Sequence, residues 1–316
     1  LMYSGNFLTE IELDQYDQLR LVMGIHPKQF VYELKPQEVF EAPEVVMAFT
    51  EHGFTGLSHL YHDFYRTNLC HSKFVQRVQR PVLINSWEAA FMDFDDVKLV
   101  EIAKAAKNMG VDLLVMDDGW FGKRDDDNSG LGDWYVNTDK IKCGLHKLVE
   151  QINDLDMKFG IWFEPEMVSE DSDLYRAHPD WAMQIPGRHA VRSRNQMALD
   201  MSRQEVQDYL IKNINAILDD ANIFYVKWDI NRSLADIWSN TLPAERQGEV
   251  YHRYILGLYR VMDQIIKTHP DILFEGCSGG GGRYDAAMLH YYPQYWVSDN
   301  NHPIDRLKLH YGTSFV

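Results

Sequence analysis

Seven short apolar runs in this chain end in an acid, a tryptophan or both. Trp87-Glu88 follows residues 81–85, and Asp117-Asp118-Gly119-Trp120 follows residues 111–116. The run at 159–163 continues into Glu164-Pro165-Glu166, with Trp162 inside it, and the run at 197–200 ends in Asp200. Lys227-Trp228-Asp229, Glu275-Gly276-Cys277 and Trp296-Val297-Ser298-Asp299 close the last three. A scattered acid is normally a solvated surface group. Acids repeated at equivalent ends point to a carboxylate site. Converging carboxylates either hold a divalent cation such as Mg²⁺ or work as a pair on a glycosidic bond. Tryptophan separates the two chemistries. Its flat apolar face packs on the C–H face of a pyranose while carboxylates accept hydrogen bonds from sugar hydroxyls, and a metal centre needs no such face. Trp87, Trp120, Trp162, Trp228 and Trp296 all sit at these ends.

The intervening segments carry helical periodicity. Val97, Val100, Ala103 and Ala106 share one face, with Gly110 as a stop. Residues 145–155, 205–218 and 250–268 repeat the pattern. Strands alternating with helices make parallel βαβ units. Seven strands over residues 81–297 give a (β/α)₈ TIM barrel, an α/β fold, with the eighth strand expected just past residue 316. Strand ends of such a barrel meet at one rim. A doubly wound sheet would bring a Gly-rich turn after its first strand, and Asn85-Ser86-Trp87-Glu88 is unlike it. Residues 7–13 alternate apolar and polar as a half-buried strand does, and 19–25, 30–34 and 45–50 are further strand candidates. Leu57, Leu60, Tyr61, Phe64 and Tyr65 form a helical face. Residues 1–78 are therefore expected to be the end of a β-rich domain plus a linker, and 79–316 the barrel.

Composition narrows the ligand. The 316 residues carry a formal net charge of −16, which argues against a nucleic-acid partner and suits a neutral small ligand. Cys70, Cys143 and Cys277 are odd in number and far apart, giving no disulfide framework and no metal spacing; a reducing, cytoplasmic compartment is expected. No apolar run approaches the roughly 18 residues of a membrane span, so no membrane partner is expected. The opening residues do not read as a signal peptide, and none is expected.

Four motifs carry a family resemblance. Lys227-Trp228-Asp229-Ile230-Asn231-Arg232, the Asp117-Asp118-Gly119-Trp120 motif with its continuation through Arg124, Trp162 through Met167, and Glu275-Gly276-Cys277-Ser278 with the following glycines resemble family 36 glycoside hydrolases, the bacterial-type α-galactosidases. The resemblance implies an N-terminal β-sandwich ahead of the barrel. It implies retaining hydrolysis of terminal α-1,6-linked galactose from melibiose- or raffinose-type oligosaccharides, without metal or other cofactor, in a homo-oligomer that is a tetramer in full-length relatives. By motif, Asp229 resembles the nucleophile and Asp299 the acid/base. Asp117 and Asp118 resemble the clamp on the galactose 4- and 6-hydroxyls. Lys227, Arg194, Trp162, Asn231 and Cys277 resemble further contacts, Trp87 a wall, and Gly279 and Trp296 complete the site. The chain departs from the family at Asn301-His302-Pro303, where Thr-Asp-Ala is usual, and at Tyr284-Asp285-Ala286-Ala287, where Phe-Asp-Pro-Gly is usual. A raffinose-synthase-type transferase, an inactive sugar-binding barrel and a metal-dependent lyase or isomerase remain alternatives.

Several residues have plainer readings. Lys227 lies two residues before Asp229 on one strand face, so the two are able to form a structural ion pair. Glycines 279–282 lack the Lys-Ser/Thr of a phosphate loop and suit close backbone approach to a sugar. Cys277, with no paired His, reads as packing or a shape contact. Arg194 has a solvated loop as its alternative. Glu164 and Glu166 read as rim structure, and the acidic run 124–128 as a solvated loop.

Overall fold

The computed structural model describes residues 1–75 and 79–315; the domain boundary expected at residue 78 lies outside them. The chain opens with an antiparallel hairpin, β1 (Phe7–Leu13) on β2 (Leu19–Ile25). Its turn is an Asx turn: Asp14 Oδ1 accepts from the backbone N–H of Tyr16 and Gln18. The expected alternation makes the strand, yet Phe7, Ile11 and Leu13 are exposed rather than half-buried. Residues 30–34 and 45–50, expected as strands, form none. α1 (Gly53–Phe64) follows and carries the Leu57–Tyr61 face.

The barrel elements then come in order. They are β3 (Leu83–Asn85), α2 (Trp87–Ala90), α3 (Asp96–Asn108), β4 (Leu113–Met116), α4 (Leu145–Asn153) and β5 (Lys158–Phe163). Next are β6 (Met167–Val168), α5 (Asp173–Ala177), β7 (Met197–Ala198), α6 (Gln204–Asp220) and β8 (Tyr225–Trp228). α7 (Val250–Thr268), β9 (Leu273–Gly276), β10 (Gln294–Tyr295) and α8 (Pro303–Thr313) finish the chain. Six strands form one parallel sheet in the order β3-β4-β5-β8-β9-β10. With helices between the strands this is the curled sheet of a TIM barrel. All six strands run the same way, so their C-terminal ends share one rim.

The run at 197–200, expected as the fourth barrel strand, is placed differently. β7 pairs antiparallel with β6, and β5 pairs directly with β8. The backbone of the run is satisfied elsewhere: Leu199 N donates to Glu166 O and Asp200 N to Trp181 O. With those groups paired, nothing drives the segment between β5 and β8.

Helix α3 shows how sequence sets an element. Asp95 caps it, its carboxylate accepting from Lys98 N at 2.8 Å. Gly110, at φ +84, follows its end. Leu99, Ala103 and Ala106 are the buried stripe, at the i, i+4, i+7 spacing. Val97, expected on that stripe, is 62% exposed.

Candidate active site

At the C-terminal ends of the strands lies a cavity of about 500 Å³. Its floor is buried: Asp117, Asp118, Trp162 and Asp229 are each 6% exposed or less. Its mouth is not: Glu88, Arg194, Asp299 and Asn301 line it as exposed residues. The exposure gradient gives the cavity a direction, from a closed carboxylate floor to an open polar rim.

Asp229 directly follows β8 and is held by four N–H donors. Oδ1 accepts from Ile230 N at 2.9 Å and Gly279 N at 3.3 Å. Oδ2 accepts from Asn231 Nδ2 at 2.7 Å and Trp162 Nε1 at 3.2 Å. Only an ionised carboxylate accepts at every lone pair, so this cradle is built for an anion and fixes the plane of the carboxyl. Gly279 does not line the cavity; it contributes its backbone N–H from behind. Cys277 is also outside the lining, a buried thiol in contact with Asp229 whose pKa is pushed up by burial. Buried and outside the lining, that thiol packs behind Asp229 and is not placed to act as a nucleophile.

The two aspartates after β4 serve differently. Asp117 Oδ2 accepts from Asn85 Nδ2 at 2.6 Å and from Lys227 Nζ at 2.9 Å. The direct ion pair of Lys227 is thus with Asp117, not with Asp229 as its strand position suggested. Burial lowers the Lys227 pKa, but the charges of Asp117 and then Asp229 outweigh it, so the ammonium stays charged. Asp118 is gripped by Arg124, Nε to Oδ1 at 3.1 Å and Nη2 to Oδ2 at 2.9 Å. Burial pushes the Asp118 carboxyl up and Arg124 opposes that. Arg124 is only 2% exposed, so the run 124–128 is not a wholly solvated loop; its first residue is a buried cation.

Asp299 stands at the mouth after β10. Trp296 Nε1 donates to its Oδ1 at 2.8 Å, and its Oδ2 has no hydrogen-bond partner among the described residues. The guanidinium of Arg306, on α8, stacks 4.4 Å over the Trp296 ring and donates from Nη1 to Ser298 O at 2.8 Å. The Asn301-His302-Pro303 departure is a helix start: His302 is the N-cap of α8 and Pro303 its first residue, where a missing N–H costs nothing. Asn300 Oδ1 accepts from His302 N at 2.9 Å.

Of the residues expected at the site, Asp229, Asp299, Asp117, Asp118, Trp87, Trp162, Arg194, Lys227, Asn231 and Trp296 all line the cavity. Arg194 does so from a tight turn in which it and Asn195 both have positive φ. Trp120 and Trp228 do not; both are fully buried and pack in the core. Glu166 is buried under Arg283, which donates to both of its oxygens, so it is structural. Glu164 is no rim residue: it is 1% exposed, and burial and then the Asp229 charge push its carboxyl up to about 8. Asn85, Tyr225 and Glu275 line the floor without having been singled out as binding residues. Strand parity held a signal for one of them, since Tyr225 lies two before Lys227 and so shares its face.

A sequence model of the Melibiase family matches residues 39–316, and one of the glycosyl hydrolase family 36 N-terminal domain matches residues 1–35. Alpha-galactosidase AgaA of Geobacillus stearothermophilus is 53% identical over 315 residues, covering 100% of this chain and 43% of that protein. The bifunctional alpha-galactosidase/sucrose kinase AgaSK of Mediterraneibacter gnavus is 52% identical, covering 99% of this chain and 33% of its own length. A crystal structure of an AgaA variant in complex with raffinose has a TM-score of 0.97 at 53% identity, covering 100% of this chain and 44% of the other. The chain spans less than half the length of these relatives.

Proposed function

The chain belongs to the Melibiase family, and from that premise we propose that it carries the catalytic site of a retaining α-galactosidase. The carrying observation is the asymmetry of two carboxylates on one cavity. Asp229 is buried and saturated with N–H donors, while Asp299 is exposed at the mouth with one oxygen open. The similarity to AgaA, a variant of which was crystallised with raffinose, supports a galactosyl oligosaccharide as substrate.

In this reading the galactose ring enters the floor. Asp117 and Asp118 accept from its hydroxyls and Trp162 packs on its apolar face. Asp229 attacks the anomeric carbon, the glycosidic C–O bond breaks, and Asp299 gives its proton to the departing oxygen. Asp299, now anionic, takes a proton from water, whose oxygen displaces Asp229 and releases galactose in the starting configuration. Lys227 balances the Asp117 charge next to the reacting centre.

NMR of the first-formed product tests this. Hydrolysis of an aryl α-galactoside releases α-galactose first, and Asp229→Ala abolishes turnover until azide restores it as β-galactosyl azide. First-formed β-galactose, or parental turnover by Asp229→Ala, refutes the assignment.

A further inference from the structure

Glu88 and Asn301 meet across the mouth of the cavity. Asn301 Nδ2 donates to Glu88 Oε1 at 2.7 Å, and both residues line the cavity while exposed. They arrive from opposite edges of the sheet: Glu88 in the first turn after β3, Asn301 two residues past Asp299 after β10. Each spends one polar atom on this bond. Glu88 Oε2 and Asn301 Oδ1 are left for a ligand.

The floor carboxylates are held in place by protein partners for the galactose itself. Asp117 is shared by Asn85 and Lys227, Asp118 is held by Arg124, and Asp229 has its four donors. A galactose seated there puts its leaving oxygen at Asp299. The leaving group therefore extends outward, past the loop that carries Asn301. Beside it stands Trp87, half-buried, with Phe91 packed edge-on against its ring at 5.3 Å. An aromatic face next to a carboxylate and an amide matches a second pyranose: the ring takes the C–H face, the carboxylate accepts from hydroxyls, and the amide donates or accepts.

We propose that the Glu88–Asn301 pair is a specificity-determining clamp on the leaving-group sugar, selecting a hydroxylated ring over a bare alkyl group. This rests on the α-galactosidase reading. The competing account is that the bond only latches the Asp299 loop.

Two substrates separate these accounts in the intact protein. Melibiose and methyl α-galactoside both lose an alkoxide that needs the Asp299 proton; only melibiose offers a hydroxylated leaving group. The readout is the ratio of their kcat/KM values in Glu88→Ala and Asn301→Ala. The ratio falls ten-fold or more if the pair clamps the second sugar. A ratio equal to the parent's, whether both substrates slow together or neither does, overturns the proposal in favour of a latch or a bystander. Glu88→Gln keeps size and one acceptor and yields an intermediate ratio, so the test survives misfolding of an alanine variant. If the parent turns over neither substrate, the functional reading itself fails, and that outcome is distinct from an unchanged ratio.

Discussion

Gly280 lies against the backbone of Asp299. A Cβ on it would stand 2.9 Å from Ser298 Cα and 3.1 Å from Asp299 N, at a φ of +87 that side chains avoid. One residue earlier, Gly279 N donates to Asp229 Oδ1. A single tight loop thus touches the Asp229 carboxylate and the backbone that carries Asp299, two groups whose carboxyls lie about 5–5.5 Å apart in a retaining pair. Gly280→Ala is expected to push the Asp299 loop outward. A displacement of about 1 Å costs on the order of 10²-fold. The loss is expected on methyl α-galactoside, which needs the proton, and not on a dinitrophenyl α-galactoside, whose leaving group departs without one. Steady-state kcat/KM on the two substrates checks this; equal losses would locate the damage at Asp229 instead.

Trp296 links Asp299 to α8. Its ring is stacked under Arg306 and its N–H holds Asp299 Oδ1. Trp296→Phe keeps an aromatic ring and removes the donor. A lost hydrogen bond of about 1–1.5 kcal/mol corresponds to roughly a ten-fold fall in kcat, with KM little changed because the sugar floor is untouched. Arg306→Met, which keeps the stem and loses the bond to Ser298 O, is expected to act in the same direction. Initial-rate kinetics with the thermal midpoint monitored in parallel decides the point; a rise in KM with kcat unchanged would assign Trp296 to binding.

The rim was legible because parallel strands put equivalent ends together, so acids at 117, 229 and 299 could be paired without knowing a contact. Partners across the sheet were not legible. Lys227 shares a strand face with Asp229 yet its long side chain reaches past the end of β5 to pair with Asp117 after β4, a partner two strands away in the sheet. Trp228 carried a readable warning: strand alternation that points Lys227 inward must point Trp228 outward, where its Nε1 meets Glu166 at 3.2 Å. The 197–200 run had strand composition and found its hydrogen bonds in β6 instead of the barrel. Burial of Arg124 depends on a turn that returns it to Asp118, and an acidic stretch gives no hint of that.

That buried pair yields a stability prediction. Arg124→Met strands the Asp118 carboxyl without its cation, and breaking one side of a buried pair costs about 3–5 kcal/mol. Without Arg124 the folded pKa of Asp118 rises further above its unfolded value. The stability is therefore retained below the unfolded pKa and lost as pH rises. Denaturant unfolding at acid and neutral pH should show a small deficit at acid pH and a large one at neutral pH. Adding Asp118→Asn should recover much of the loss; no recovery would mean that Arg124 stabilises through packing alone.

Glu164 supplies the opposite case, a carboxyl held neutral. Its Oε1 accepts from Asn231 N at 2.5 Å and Gln196 Nε2 at 2.7 Å, and Asn231 in turn donates to Asp229. Around it are Asp229 and Asp118, which oppose its ionisation, and Arg124 and Arg232, whose charges favour it. Arg124 is engaged by Asp118, and Arg232 by the backbone oxygens of Val191 and Gln196, so neither is free to neutralise a Glu164 anion. With a folded pKa of about 8 against a reference of 4.5, the unfolded chain releases this proton first as pH rises. Stability linked to Glu164 is thus full below pH 4.5 and lost through pH 8. Glu164→Gln keeps the acceptor oxygen and cannot ionise. Relative to the parent it is expected to gain nothing at pH 4 and a gain on the order of a few kcal/mol by pH 8. Urea unfolding across that range measures the difference directly. A variant that tracks the parent at every pH would show that Glu164 sits ionised behind Asp229.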